Sequence, residues 1–311
     1  MKPKLGLSIN VDLINHRIDE SLDFHAGDTT YRHDGISIGK DYLRLEGRTV
    51  TRGELVPESL SSQEIIGKGA FSTFRRAMWT RTGSLEPIAV AIKDYALIDS
   101  SQQRRKMFLK ELRALCLMKN ESLVHLHGAF LEADTDTVTM VLELMNRGSL
   151  EKLLTQRQSR PLPERIIAPI AFQMLHGLSF LHNYRMLHRD LKPENVLFNS
   201  DGQVKLCDFG TSTLGEQSLN TTVLGTTKFM APERLRGRQY GRPSDIWSLG
   251  LVVLDLAGVS PWQDVTSMVD LVVTVEESCL ENLVPSGLEK GLREILIGCL
   301  RHEPGKSKDG Y

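Results

Sequence analysis

The strongest constraint on this chain is the stretch His188-Arg189-Asp190-Leu191-Lys192-Pro193-Glu194-Asn195, followed shortly by Asp208-Phe209-Gly210. Between them lie two short apolar runs, Val196-Leu197-Phe198 and Val204-Lys205-Leu206, separated by the polar turn Asn199-Ser200-Asp201-Gly202. Runs of this kind joined by a Gly-containing turn predict a β-hairpin. Such a hairpin holds Asp190 at one end and Asp208 at the other, facing a common cleft. Asp190, Asn195 and Asp208 offer hard oxygen donors, which suit Mg²⁺ when phosphate oxygens complete its shell. A carboxylate outside the metal shell can instead accept a proton from an attacking hydroxyl. An ordinary exposed loop of mixed charge has no reason to set these residue types at these spacings.

A chain of 311 residues can bury a substantial core, as one large domain or two lobes. Its 38 basic and 39 acidic residues leave a net charge of −1, so no global field draws it to nucleic acid or to an anionic membrane. Cys116, Cys207, Cys279 and Cys299 lie far apart without C-x-x-C spacing, which argues against a zinc site or a disulfide framework and fits a reducing compartment. The N-terminus lacks the apolar core of a signal peptide, and no apolar run is long enough to span a bilayer. The expectation is a soluble protein of the cytoplasm, and of the nucleus as a second location.

Residues 1–60 differ from the rest and read as an N-terminal arm. Lys2 and Lys4 precede a strict alternation of Leu5, Leu7, Ile9, Val11 and Leu13, the pattern of an extended segment with one apolar face. The residues that follow, such as His25-Ala26-Gly27-Asp28-Thr29-Thr30, predict loose structure. The alternation alone fits two readings equally: an edge strand or tail, or a peptide that docks on a partner through Lys2, Lys4, Leu5, Leu7 and Ile9.

From Ser61 the pattern is globular. Ile66-Gly67-Lys68-Gly69-Ala70-Phe71-Ser72 is a glycine-rich turn followed by β-branched and aromatic residues, where a dinucleotide fold would need a helix. Glycine in such a turn lets backbone N–H groups approach phosphate oxygens. Val90-Ala91-Ile92-Lys93 then ends an apolar strand with an ammonium group. Residues 104–118 predict a helix with Phe108, Leu112 and Leu115 on one stripe and Glu111 on the same face. A buried carboxylate needs a partner, and Lys93 is the candidate. The apolar run 138–145 predicts a strand, and residues 163–182 a helix that must start late or bend at Pro169. His176 and His182 have no nucleophile to serve and read as structural. Residues 243–256 predict a central helix, apolar nearly all round, and residues 281–298 a further helix.

Together these motifs resemble the eukaryotic protein kinases, from about Ser61 to Leu300. The resemblance implies an α+β, two-lobed fold: a β-rich N-lobe with one helix over residues 61–145, and a mainly helical C-lobe over 146–311 that lacks the family's final helix. It implies ATP and Mg²⁺ as cofactors. Asp190 becomes the base, Lys192 meets the transferring phosphate, and Lys93, held by Glu111, positions the α- and β-phosphates. Asn195 and Asp208 hold Mg²⁺. Ile66, Gly67, Lys68, Gly69, Ala70, Phe71, Ser72, Phe74, Ala91, Leu197 and Cys207 line the nucleotide. Leu142 guards the back pocket, and the backbone of Glu143 and Met145 bonds adenine. Ser72 and Phe74 depart from the family's usual Gly and Val. Thr226, together with Lys192, matches the Ser/Thr branch. Glu233 of Ala231-Pro232-Glu233 lacks its usual arginine partner, because Ser307 and Lys308 stand at the expected Arg-Pro positions. Its carboxylate is therefore expected to be unpaired or solvated, with Asp245 anchoring the catalytic loop.

Finer features are similar to the MAP kinase kinases: Cys207 directly before Asp208, the stretches 233–240 and 244–250, the arm with its Asp34-Gly35-Ile36, and Ser218 and Thr222 spaced as an activating pair. That likeness implies a dual-specificity kinase acting on Thr and Tyr in the activation loop of a MAP kinase. An upstream kinase would activate it by phosphorylating Ser218 and Thr222, with Arg189 meeting the new phosphate. Two alternatives stay open: a Ser/Thr kinase at the same or a higher level of the cascade, and a pseudokinase scaffold.

Overall fold

The computed structural model describes residues 30–33, 35–50, 55–68, 72–84, 86–97, 101–209, 227–262, 265–277 and 279–301. They fall into two compact units, the first ending at Asn146 and the second beginning at Arg147.

The first unit opens with four short strands, β1 (Thr30–His33), β2 (Ile36–Gly39), β3 (Leu43–Leu45) and β4 (Arg48–Thr49), joined in that order. All pairings are antiparallel. The sequence predicts a loosely structured arm through residue 60, so this sheet is a correction. Its strands are too short for periodicity to register, yet Tyr31, Ile36, Ile38, Leu43 and Leu45 are all buried. Gly35 and Gly47, at φ 74° and 73°, make the tight turns that fold such short strands back.

A five-stranded antiparallel sheet follows. It comprises β5 (Leu60–Lys68), β6 (Ser72–Trp79), β7 (Ile88–Ala96), β8 (Leu126–Glu132) and β9 (Thr137–Glu143), in the order β5-β6-β7-β9-β8. Leu60, Ala77, Trp79, Val90, Ile92, Phe130 and Val141 pack with Leu55 into one apolar cluster. Helix α1 (Gln102–Leu117) lies between β7 and β8 in the chain; Ser101 caps it by accepting the Arg104 N–H at 3.3 Å.

The second unit contains β10 (Gly148–Ser149), α2 (Leu150–Gln156), α3 (Glu164–Asn183), β11 (Val196–Phe198), β12 (Val204–Leu206), α4 (Pro232–Leu235), α5 (Arg242–Leu256), α6 (Met268–Glu277) and α7 (Lys290–Leu300). Helix α3 begins at Glu164 behind Pro163 and runs through Pro169, burying Ile170, Met174, Leu178 and Leu181. Helix α5 is the centre of this unit, with Trp247, Leu249 and the whole run Leu251–Leu254 buried. Gly250 lets α7 approach it: a Cβ there would stand 2.8 Å from Cys299 Cβ. The single helix predicted over 281–298 is instead a 3₁₀ turn, Leu280–Leu283, and the separate α7. Pro285 and Gly287 lie between them and break the helical ladder. All four cysteines are thiols rather than half-cystines. No helix among the described residues is long and apolar enough to cross a membrane.

Candidate active site

In the first unit, β7 is an interior strand, and its register sets Lys93 opposite Phe74 of β6 and Met140 of β9. Lys93 and Glu111 are each 8% exposed, and Lys93 Nζ donates to Glu111 Oε1 at 2.6 Å. Burial removes solvent from both charges, so the pair holds only while both partners are present. Phe74, the departure from the family's usual valine, places its ring 5.4 Å from Lys93 Nζ, a cation–π distance. The neighbouring Asp94 accepts from Arg75 Nε at 2.6 Å, Arg75 Nη2 at 2.8 Å and Thr139 Oγ1 at 3.0 Å. That three-strand network was not among the sequence-predicted residues. Its signal would be Arg75, Asp94 and Thr139 facing the same side of β6, β7 and β9.

Of the residues the resemblance assigns to the nucleotide, Ile66 and Lys68 are exposed and Gly67, Ser72, Phe74 and Ala91 half-buried, while Leu142 and Met145 are buried. The Glu143 N–H already donates to the His125 carbonyl at 2.9 Å. Gly69, Ala70 and Phe71 lie outside the described residues.

In the second unit, β11 and β12 form the expected hairpin, with Val196 opposite Leu206 and Phe198 opposite Val204. At its open end the Cys207 N–H donates to the Asn195 carbonyl at 3.0 Å, and Leu197 is half-buried on β11. This brings Asn195 next to the chain segment of Asp208. The Asn195 amide N–H group donates to the Asp190 carbonyl at 2.8 Å and to Asp190 Oδ2 at 3.0 Å. Lys192 Nζ stands 2.9 Å from the same Oδ2. Asp208 adopts φ 55° and Arg189 φ 70°. Side chains other than glycine occupy that region at a cost, and such strain clusters at functional sites.

The loop that carries these residues is fixed from beneath. Asp245, 2% exposed near the start of α5, accepts the His188 N–H at 2.9 Å, the Arg189 N–H at 2.8 Å and a 2.8 Å bond from His182 Nε2. Burial alone would raise the Asp245 pKa; the His182 bond and the His188 and Arg189 contacts more than offset it and hold the carboxyl below its ordinary value. His188 is fully buried, and desolvation outweighs the carboxylates around it, so its pKa falls and the ring is neutral at pH 7. The Arg189 guanidinium lies 5.9 Å from the centre of the Tyr240 ring and that of Arg234 5.0 Å from it. Arg234 also donates to the Arg189 carbonyl.

The sequence leaves Glu233 without its usual arginine and so unpaired or solvated; it is half-buried, accepts a hydrogen bond from Ser244 Oγ and faces a cavity of about 380 Å³ that Trp247, Cys299 and Arg301 also line. Ser244 stands directly before Asp245, a local substitute that composition does not announce. Ser218, Thr222, Thr226, and the proposed docking residues Lys2, Lys4, Leu5, Leu7 and Ile9, lie outside the described residues.

The donor set fits Mg²⁺. The Asn195 N–H group is spent on Asp190, so its carbonyl oxygen is the atom it can turn to a cation, and Asp208 supplies a carboxylate. Among the described residues no three His, Cys, Asp or Glu side chains converge as a complete metal site. A Mg²⁺ that also takes phosphate and water needs fewer protein ligands than that.

Residues 60–306 match the protein kinase domain family. The chain is 34% identical over 222 residues to the MAP kinase kinase MKK1/SSP32 of Saccharomyces cerevisiae, covering 70% of this chain and 41% of that protein. It is 32% identical over 295 residues to mitogen-activated protein kinase kinase 1c of Physcomitrium patens, covering 90% of this chain and 76% of that one. To mitogen-activated protein kinase kinase kinase 1 of Homo sapiens it is 32% identical over 259 residues, 79% of this chain but 17% of the relative.

Proposed function

Because the chain belongs to the protein kinase family, on its MAP kinase kinase branch, we propose that it transfers the γ-phosphate of ATP to Thr and Tyr in the activation loop of a MAP kinase. The observation that carries this is the built catalytic loop: Asp190 flanked by Asn195 and Lys192, on a backbone that Asp245 pins by two amides. A substrate hydroxyl brought to Asp190 would pass its proton to the carboxylate as its oxygen attacks. Lys192, beside that carboxylate, offers its ammonium to charge developing on the moving phosphate. Lys93, fixed by Glu111, orients the α- and β-phosphates. Asn195 and Asp208 would hold Mg²⁺, which offsets phosphate charge when bound. Positioning of this kind accounts for most of the rate enhancement in phosphoryl transfer.

In this reading phosphorylation of Ser218 and Thr222 by an upstream kinase switches the enzyme on, with Arg189 available to the new charge. The arm docks the substrate through Lys2, Lys4, Leu5, Leu7 and Ile9, raising its effective concentration. The cytoplasm, and secondarily the nucleus, is the compartment. A kinase one level higher in the cascade has support from the Homo sapiens relative, but the chain covers 17% of that protein against 76% of the Physcomitrium patens one. A scaffold without catalysis has no need of Lys93, Asp190 and Asp208 together.

The test is phosphate transfer from ATP to a kinase-dead MAP kinase, with and without Mg²⁺, by the full chain and by a chain lacking residues 1–14. Transfer should need Mg²⁺. The truncation should depress transfer to the MAP kinase but not to a generic peptide. Loss of both activities together would make the arm a structural strand, and metal-independent or absent transfer would overturn the assignment.

A further inference from the structure

Lys93 is held from both faces of its strand. On the face of its own side chain, Lys93 Nζ donates to Glu111 Oε1 at 2.6 Å and lies 5.4 Å from the centre of the Phe74 ring. Successive residues of a strand point to opposite faces, so Asp94 projects from the other side of β7. There it meets Arg75, the residue after Phe74. Arg75 Nε donates to Asp94 Oδ2 at 2.6 Å, and Arg75 Nη2 donates to Asp94 Oδ1 at 2.8 Å. A guanidinium fork on a carboxylate fixes direction as well as distance. The step Phe74-Arg75 of β6 therefore clasps the step Lys93-Asp94 of β7, with one contact on each face.

The register makes this clasp specific. Phe74 stands opposite Lys93 and Arg75 opposite Ile92, so Arg75 reaches Asp94 along the diagonal. A slip of one residue would turn Arg75 to the wrong face and break the fork. Thr139 of β9, fully buried and opposite Asp94, sets Oγ1 3.0 Å from Asp94 Oδ1 and 3.1 Å from Glu132 Oε1 of β8. Its single hydroxyl proton serves two carboxylates, so the Arg75 fork is the stronger hold on Asp94. The Arg75 and Asp94 side chains are only 24% and 16% exposed, and solvent screens the fork in part. Sheet stability alone does not call for such a pair, since apolar side chains at partly buried positions commonly hold a fold as well.

We propose that Arg75 and Asp94 are positioning residues for Lys93: their fork fixes the β7 backbone beside Lys93 against β6, so the ammonium is aimed by β6 as well as by Glu111 of α1. The inference rests on the kinase reading above, in which Lys93 orients the α- and β-phosphates.

The test uses the full chain, measuring Mg·ATP affinity by calorimetry, kcat and KM for ATP on a generic peptide, and the melting temperature. Asp94→Asn and Arg75→Lys keep side-chain bulk and break the fork. Combined, they should weaken ATP binding and lower kcat/KM about tenfold, within the ~10²-fold that a 1 Å misplacement costs. Leu55→Ala, in the apolar cluster of the same unit, is the stability control and should lower the melting temperature alone. An equal fall in kcat/KM for Leu55→Ala, at equal folded fraction, would reduce the fork to sheet stability and overturn the proposal. In a Lys93→Met background, Asp94→Asn should change ATP affinity no further, because it acts through Lys93. A full additional loss there would overturn the proposal as well. Lys93→Met alone separates the two levels. If it binds ATP weakly and transfers no phosphate while the Asp94 and Arg75 variants match the wild type, the positioning proposal fails alone. If Lys93→Met binds ATP and transfers phosphate as the wild type does, the kinase assignment of Lys93 fails and the proposal with it.

Discussion

Replacing Asp245 by alanine should be among the most damaging single changes in the second unit. The carboxylate accepts the His188 N–H at 2.9 Å, the Arg189 N–H at 2.8 Å and a 2.8 Å bond from His182 Nε2. Hydrogen bonds to a charged acceptor contribute ~1.5–3 kcal/mol each, and a buried donor left without an acceptor costs a similar amount. With some relaxation of the loop, Asp245→Ala should cost ~3–5 kcal/mol, a large part of a typical domain's 5–15 kcal/mol. Asp245→Asn keeps one acceptor oxygen and should cost roughly half as much. Because the folded carboxyl lies below its ordinary pKa, its contribution is fully present above the ordinary carboxyl value of 3.8 and is lost as pH falls through the lower folded value. Urea unfolding gives the energy, and hydrogen exchange at the His188 and Arg189 amides locates it. A loss under about 1 kcal/mol for Asp245→Ala, with both amides still protected, would refute the claim that this carboxylate pins the loop.

Asp190→Asn should leave ATP binding intact and lower turnover by ~10²–10⁴-fold, checked by calorimetry and steady-state rates. Asp255, on α5, has its pKa pushed up to about 6 by burial, with Glu151 adding to the shift, so its ionisation destabilises the fold as pH rises through 6. Asp255→Asn should therefore stabilise the protein by ~1 kcal/mol at pH 7.5, after discounting for solvent screening, and change nothing at pH 4; melting curves at the two pH values decide it. Replacing Ser218 and Thr222 by alanine should leave a folded enzyme that its activator cannot switch on, measured as activity before and after treatment with an upstream kinase.

The parts legible in the sequence are those with short-range signals. The β11–β12 hairpin follows from two apolar runs and a Gly-containing turn, and the Lys93–Glu111 bond from a carboxylate on an apolar helical stripe that needed a cation. The β1–β4 sheet was not legible, because each strand spans only two to four residues and its stability comes from packing on β8 rather than from local pattern. The Ser244–Glu233 bond and the Glu46–Arg113 pair are likewise products of tertiary proximity between side chains that are ordinary in sequence. The helix predicted over 281–298 failed for a local reason: its apolar spacing continues across Pro285 and Gly287, which the backbone cannot follow.

Whether the chain is a dual-specificity kinase is decided by mapping the phosphosites that the activated enzyme places on a kinase-dead MAP kinase. Phosphate should appear on both the Thr and the Tyr of the activation loop, and on neither when Asp190→Asn replaces the wild type. Phosphate on Ser or Thr alone, at sites outside that loop, or equal labelling by Asp190→Asn would contradict the proposed activity.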